Sequence, residues 1–120
     1  MSEHGYKVSV TLAFTFHAAH VLPWHPGKCA RLHGHTYRVE IQVEGPLNEN
    51  GIVVDFDALE ETLQAKVFEH LDHTLLNDTL PNPTAELIGV HIMDEAGRHG
   101  IVLKTVQVWE TPNASALITR

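Results

Sequence analysis

Two histidines interrupt the inward face of an otherwise apolar strand, and that interruption constrains the fold more than any other feature of the chain. From His33 to Val43 one parity reads His33, His35, Tyr37, Val39, Ile41 and Val43, against Thr36, Arg38, Glu40 and Gln42 on the other. In a pleated strand the two imidazoles sit two residues apart and face the way the core side chains face. Polar rings in that position cost free energy unless something satisfies them. A third histidine, His20, follows an earlier alternating run closely enough to meet the pair if the two strands are neighbours. Three imidazoles with an open fourth position are a standard catalytic zinc set.

The stretch between these histidines holds the only cysteine, Cys29, in a loop with Pro23, Pro26 and Gly27. Lys28 and Arg31 flank it, and positive neighbours favour a thiolate that can act as base or nucleophile. The same thiol could instead complete the three imidazoles as a fourth ligand, which would close the site and make it structural. Asp72-His73 lies just past a helix end. There a carboxylate can orient an imidazole for acid–base work, or the pair can simply answer the helix dipole. Glu110 ends an apolar run on the parity of Val106 and Val108. It reaches either water at the sheet edge or a ligand carrying ring N–H donors, such as a purine or pterin.

Tyr6 to Phe14 alternates cleanly as a half-buried strand, with the pattern breaking at Phe16-His17-Ala18-Ala19-His20, where small alanines allow a close approach. Ile52-Val53-Val54 reads as a short strand or a strand extension. Asp57 reads as an N-cap with Glu60 completing a capping box, ahead of a helix that carries Leu59, Leu63 and Val67 and ends near His70. Thr84 caps a second helix that runs through Ile88 and Ile92 to about Gly97. Ile101 to Trp109 is a strand, and Ala114 to Ile118 a short last one. The order implies an α+β domain, an antiparallel sheet with helices on one face.

A chain of 120 residues suits a single domain over residues 1–120, helped by oligomerisation. The net charge of -7, with no basic cluster beyond Lys28, Arg31 and Arg38, argues against a nucleic-acid partner. No apolar run reaches the ~20 residues of a membrane span. The N-terminus has no signal-type pattern, and a lone thiol fits the reducing cytoplasm.

The ordered set Phe16-His17-Ala18-Ala19-His20, Cys29-Ala30-Arg31-Leu32-His33-Gly34-His35, Val54-Asp55-Phe56, Leu71-Asp72-His73, Leu76-Asn77, Asn82-Pro83-Thr84-Ala85-Glu86 and Glu110-Thr111 resembles the 6-pyruvoyl-tetrahydropterin synthase superfamily. The short Cys-to-His spacing resembles its 6-carboxy-tetrahydropterin synthase branch, of the queuosine and deazapurine pathway. The resemblance implies the tunnelling fold (T-fold): a four-stranded antiparallel sheet with two helices on one face. Trimers would close their sheets into a barrel and stack as a homohexamer, with active sites between subunits. It implies zinc on His20, His33 and His35, Cys29 as the proton-abstracting base, Asp72 and His73 as the acid–base pair, and Glu110 as the pterin anchor. The implied reaction is zinc-dependent conversion of 7,8-dihydroneopterin triphosphate to 6-carboxy-5,6,7,8-tetrahydropterin, with release of triphosphate and acetaldehyde. The alternatives are the pyruvoyl product from the same substrate, and a non-catalytic structural zinc or pterin-binding protein. Leu87 stands where the family often has Asn, and His17, Trp24 and His25 carry no assigned role.

Overall fold

The computed structural model describes residues 4–120. Two long strands, β1 (Ser9–His20) and β2 (His33–Glu44), form an antiparallel hairpin across the thiol-bearing loop. Helix α1 (Phe56–Lys66), the two-residue strand β3 (Thr74–Leu75) and helix α2 (Ala85–Arg98) follow, then strands β4 (Thr105–Thr111) and β5 (Ala114–Thr119). The sheet has five strands in the order β3-β1-β2-β4-β5, not the expected four, because the two-residue β3 adds itself to the free edge of β1. All long-strand pairs are antiparallel, and β3 adds a short parallel contact to Ala18 and Ala19. No helix among the described residues is long and apolar enough to cross a membrane.

The even parity of β1 does not break at Phe16. Phe14, Phe16, Ala18 and His20 are all buried, while Thr15 and His17 are exposed. Small alanines and two histidines disguise the alternation, but the backbone keeps its ladder with β2 through His20↔His33. Both helices pack on this inward face. Leu59 and Leu63 of α1 join Ile88, Ile92, Met93 and Ala96 of α2 in one cluster with Phe16, Tyr37, Val39, Ile41, Val106 and Val108. Gly89 lets α2 lie close to β5, because a Cβ there would stand 2.1 Å from Ile118 Cδ1.

Several boundaries differ from the expectations above. The N-cap of α1 is Asp55, not Asp57: its carboxylate accepts from the Ala58 N–H at 2.9 Å, and Asp57 falls in the first turn. Such a cap contributes about 1 kcal/mol. Helix α1 stops at Lys66, and a tight 3-10 turn, Phe68–His70, turns the buried Phe68 into the core. Ile52-Val53-Val54 is irregular rather than a strand, since no strand runs beside it to accept a ladder. The β4 strand begins at Thr105, four residues later than the apolar run, and extends through Glu110 to Thr111. The cap at Thr84 is as expected, accepting from the Leu87 N–H at 3.1 Å.

Candidate active site

Strand register assembles the three histidines. His20 and His33 are direct cross-strand partners, and Ala18 pairs with His35, so the three rings meet at the end of the inward face beyond Tyr37. One ligand atom from each lies within 4.8 Å of the others. His20 is fully buried. Its Nδ1 lies 2.8 Å from the Pro83 carbonyl, and the His33 Nδ1 lies 2.7 Å from the Arg31 carbonyl.

A carbonyl can only accept, so each of these Nδ1 atoms carries the proton and each Nε2 of the neutral ring presents a lone pair. Yet the two Nε2 atoms face one another at 2.9 Å. Two lone pairs at that distance repel unless a cation stands between or beside them. The His35 Nε2 is buried with no hydrogen-bond partner, which costs about 1–3 kcal/mol if nothing binds it. Burial pushes the His35 ring below the ordinary imidazole range, and the neighbouring imidazoles push the same way against the opposing Glu110 carboxylate. Backbone acceptors orient the His20 and His33 rings, and all three rings are aimed at a common point, which is how a metal-ligating set is prepared. The donor set fits a divalent metal ion.

Cys29 is a half-buried free thiol in a 3-10 turn, Lys28–Ala30. Its carbonyl accepts from the Leu22 N–H at 3.0 Å, which folds the loop back beside the end of β1. Cys29 Sγ is not among the converging donor atoms, which come from the three histidines alone.

Asp72 and His73 stand on the β3 side of the sheet. The His73 Nδ1 lies 3.0 Å from Asp72 Oδ2. His73 adopts a left-handed backbone (φ 58°), a conformation that costs a non-glycine residue about 1 kcal/mol or more. It is held there by its N–H, which donates to the His17 carbonyl. The His17 N–H in turn donates to Asp72 Oδ1 at 2.8 Å. That backbone donor, with His73 beside it, holds the Asp72 carboxyl below the usual carboxylate range. A depressed carboxylate stabilises the fold above its unfolded pKa, and this contribution is lost as pH falls through the folded value. Wild-type and Asp72→Asn thermal midpoints should therefore differ by a constant amount above about pH 4 and converge below it. Melting curves across that range check this, and a difference that grows on acidification would contradict it.

Glu110 lies past the buried pair Val106 and Val108, where the β4–β5 register shifts. Its Oε1 is 3.4 Å from His20 Nε2 and 3.6 Å from His35 Nε2, so the carboxylate borders the histidine set. Burial first, and Glu110 second, push the Tyr37 phenol well above its ordinary value. Tyr37 therefore stays protonated beneath the site, its Oη 3.3 Å from His20 Nδ1. A cleft of about 620 Å³ is lined by His35, Thr36, Arg38, Trp109 and Glu110. A second, of about 580 Å³, is lined by His17, Gly34, His35, His73 and Thr74. His35 belongs to both, so the histidine set stands between the cleft of Glu110 and the cleft of His73.

Sequence reading missed the Pro83 and Arg31 carbonyls, Tyr37, and a clamp made by Asn77. The first two are backbone groups, which no residue pattern advertises. Leu87 is exposed on the first turn of α2.

A sequence model of 6-pyruvoyl tetrahydropterin synthase matches residues 8–120. A 6-carboxy-5,6,7,8-tetrahydropterin synthase of Synechocystis is 43% identical over 113 residues, covering 86% of this chain and 86% of that protein. A dihydroneopterin monophosphate aldolase of Pyrococcus furiosus is 34% identical over 107 residues, covering 87% and 90%. In fold, the chain is similar to the 6-pyruvoyl tetrahydropterin synthase of Caenorhabditis elegans, with a TM-score of 0.83 at 21% identity over 96% of each chain.

Proposed function

The chain belongs to the 6-pyruvoyl tetrahydropterin synthase family, and on that premise we propose that it is a zinc-dependent 6-carboxy-5,6,7,8-tetrahydropterin synthase. Its substrate is 7,8-dihydroneopterin triphosphate, which with water yields the 6-carboxy product, triphosphate and acetaldehyde. The observation that carries the reading is the convergence of His20, His33 and His35, one ligand atom from each within 4.8 Å of the others, with the Nδ1 atoms of His20 and His33 spent on backbone carbonyls. The name of the Synechocystis relative, at 43% identity, selects the carboxy branch.

His20, His33 and His35 hold the metal in this reading. Zinc supplies Lewis-acid polarisation of the substrate's side-chain oxygens. The chain's own groups do the rest. Cys29, as thiolate, takes a carbon-bound proton from the substrate side chain. His73, oriented by Asp72 at 3.0 Å, moves protons to and from side-chain oxygens. Glu110 accepts from the N–H groups of the pterin ring, and its place on the cleft beside His35 supports that role. A ring bound there presents its side chain to the histidine set.

The working unit in this proposal is a homohexamer of two stacked trimers, each trimer closing its sheets into a barrel around sites shared between subunits. Two unpaired sheet edges among the described residues favour such closure: β5, and the part of β1 over residues 9–16 that neither β3 nor the Asp72-His73 turn covers. The whole chain, 1–120, acts as one domain, in the cytoplasm. A coupled assay tests the reaction: zinc-loaded protein should release one acetaldehyde and one triphosphate per substrate consumed. Triphosphate release without acetaldehyde would move the chain to the pyruvoyl branch.

A further inference from the structure

β1 ends at His20, yet the next residue, Val21, still has a backbone N–H and C=O that need partners in a partly buried place. On this side of β1 the edge strand β3 has already stopped. It pairs Thr74 and Leu75 with Ala18 and Ala19, and then the backbone turns away into the 3-10 turn Leu76–Asp78. The Asn77 side chain continues the edge in its place. Its Oδ1 accepts from the Val21 N–H at 2.8 Å, and its Nδ2 donates to the Val21 carbonyl at 2.9 Å. A carboxamide carries both a donor and an acceptor, so it can stand in for one peptide unit of a neighbouring strand. A carboxylate has no donor, and leucine has neither group.

We infer that Asn77 is a positioning residue for the candidate active site, tying the metal ligand His20 and the Cys29 loop to one fixed point. Val21 is bonded directly to His20. Its other neighbour, Leu22, donates its N–H to the Cys29 carbonyl at 3.0 Å, so the clamp sits between the imidazole and the thiol loop. The same segment of chain holds the ring from the other side, through the Pro83 carbonyl at 2.8 Å from His20 Nδ1. It also latches the loop through Asn82 Oδ1, which accepts from the Trp24 indole N–H at 2.8 Å. Trp24 is exposed, so this latch is peripheral, whereas the Val21 clamp is partly buried.

The inference deepens the proposed function and rests on it for the role of Cys29, but two of its readouts need no pterin chemistry. Full-length, zinc-loaded Asn77→Leu, Asn77→Asp and Trp24→Phe proteins are compared with wild type. Zinc affinity is measured by competition with a chromophoric chelator. Thiol reactivity is measured by iodoacetamide, for which Cys29 is the single target. Thermal midpoints, kcat and KM are measured alongside. In Asn77→Leu, zinc affinity falls about tenfold, as for loss of an outer-shell partner. The alkylation rate shifts several-fold, and kcat falls more than KM changes. Asn77→Asp, which keeps the acceptor, lies between, and Trp24→Phe stays near wild type. A lowered thermal midpoint with unchanged zinc affinity, alkylation rate and kcat would overturn the inference and leave Asn77 a purely structural clamp. If Asn77→Leu does not fold, the same comparison on Asn77→Asp decides. A wild-type protein that makes no carboxy-pterin overturns the proposed function instead, with the zinc and thiol readouts still deciding the role of Asn77.

Discussion

Replacing Cys29 by alanine is expected to lower kcat about 10³-fold while leaving zinc content unchanged, the loss typical of a positioned general base. The two halves of this expectation have separate grounds. The loss of turnover follows from the role proposed for the thiol, which is half-buried in a turn and makes no disulfide. The retention of metal follows from geometry, because the converging donors are three imidazole nitrogens and the thiol is not one of them. A closed structural site would behave in the opposite way, with zinc lost along with the sulfur. Metal analysis of the purified Cys29→Ala protein, beside steady-state kinetics, separates the two. Full turnover without the thiol would remove Cys29 from the chemistry.

Removing a ring from the histidine set should be as severe and should act through the metal. His33→Ala leaves two imidazoles, and its zinc affinity is expected to fall at least about 100-fold, beyond the 10–100-fold that outer-shell partners command. His33 is the cleanest of the three to remove. His20 is fully buried, and its loss would also strip the Pro83 carbonyl of its donor. His33 is partly exposed and its anchor is the nearby Arg31 carbonyl, so water can replace what the ring leaves. The reverse experiment has an opposite sign on stability. Zinc that binds only the folded chain raises its melting temperature, and dialysis against a chelator should lower it in wild type but not in His33→Ala. An equal response of both proteins to the chelator would place the ion elsewhere.

The convergence of the three histidines was legible because strand periodicity places them. The shared parity of His33 and His35 with Tyr37 and Val39 is enough to turn both rings inward, and the hairpin register then brings His20 opposite His33. The end of β1 was harder to read. Ala18 and Ala19 blur an alternation that the backbone nevertheless keeps. At α1, Asp55 and Asp57 both offer a capping carboxylate before a helical stripe, and only the chain's direction on entering the helix selects Asp55. Strand β3 spans two residues, too short to carry any period. The groups that orient the site act across the fold: Pro83 on His20 and Asn77 on Val21, each more than fifty residues away in sequence. Contacts of that kind depend on how the 72–83 segment lies beside β1, which no local pattern encodes.

Identification of the pterin formed from 7,8-dihydroneopterin triphosphate by zinc-loaded protein, under anaerobic conditions and by mass, tests the central claim most directly. The expected product is 6-carboxy-5,6,7,8-tetrahydropterin, absent when the metal is removed and restored when zinc is returned. A pterin that keeps all three side-chain carbons, or an aldol cleavage product formed without loss of the phosphates, would contradict it.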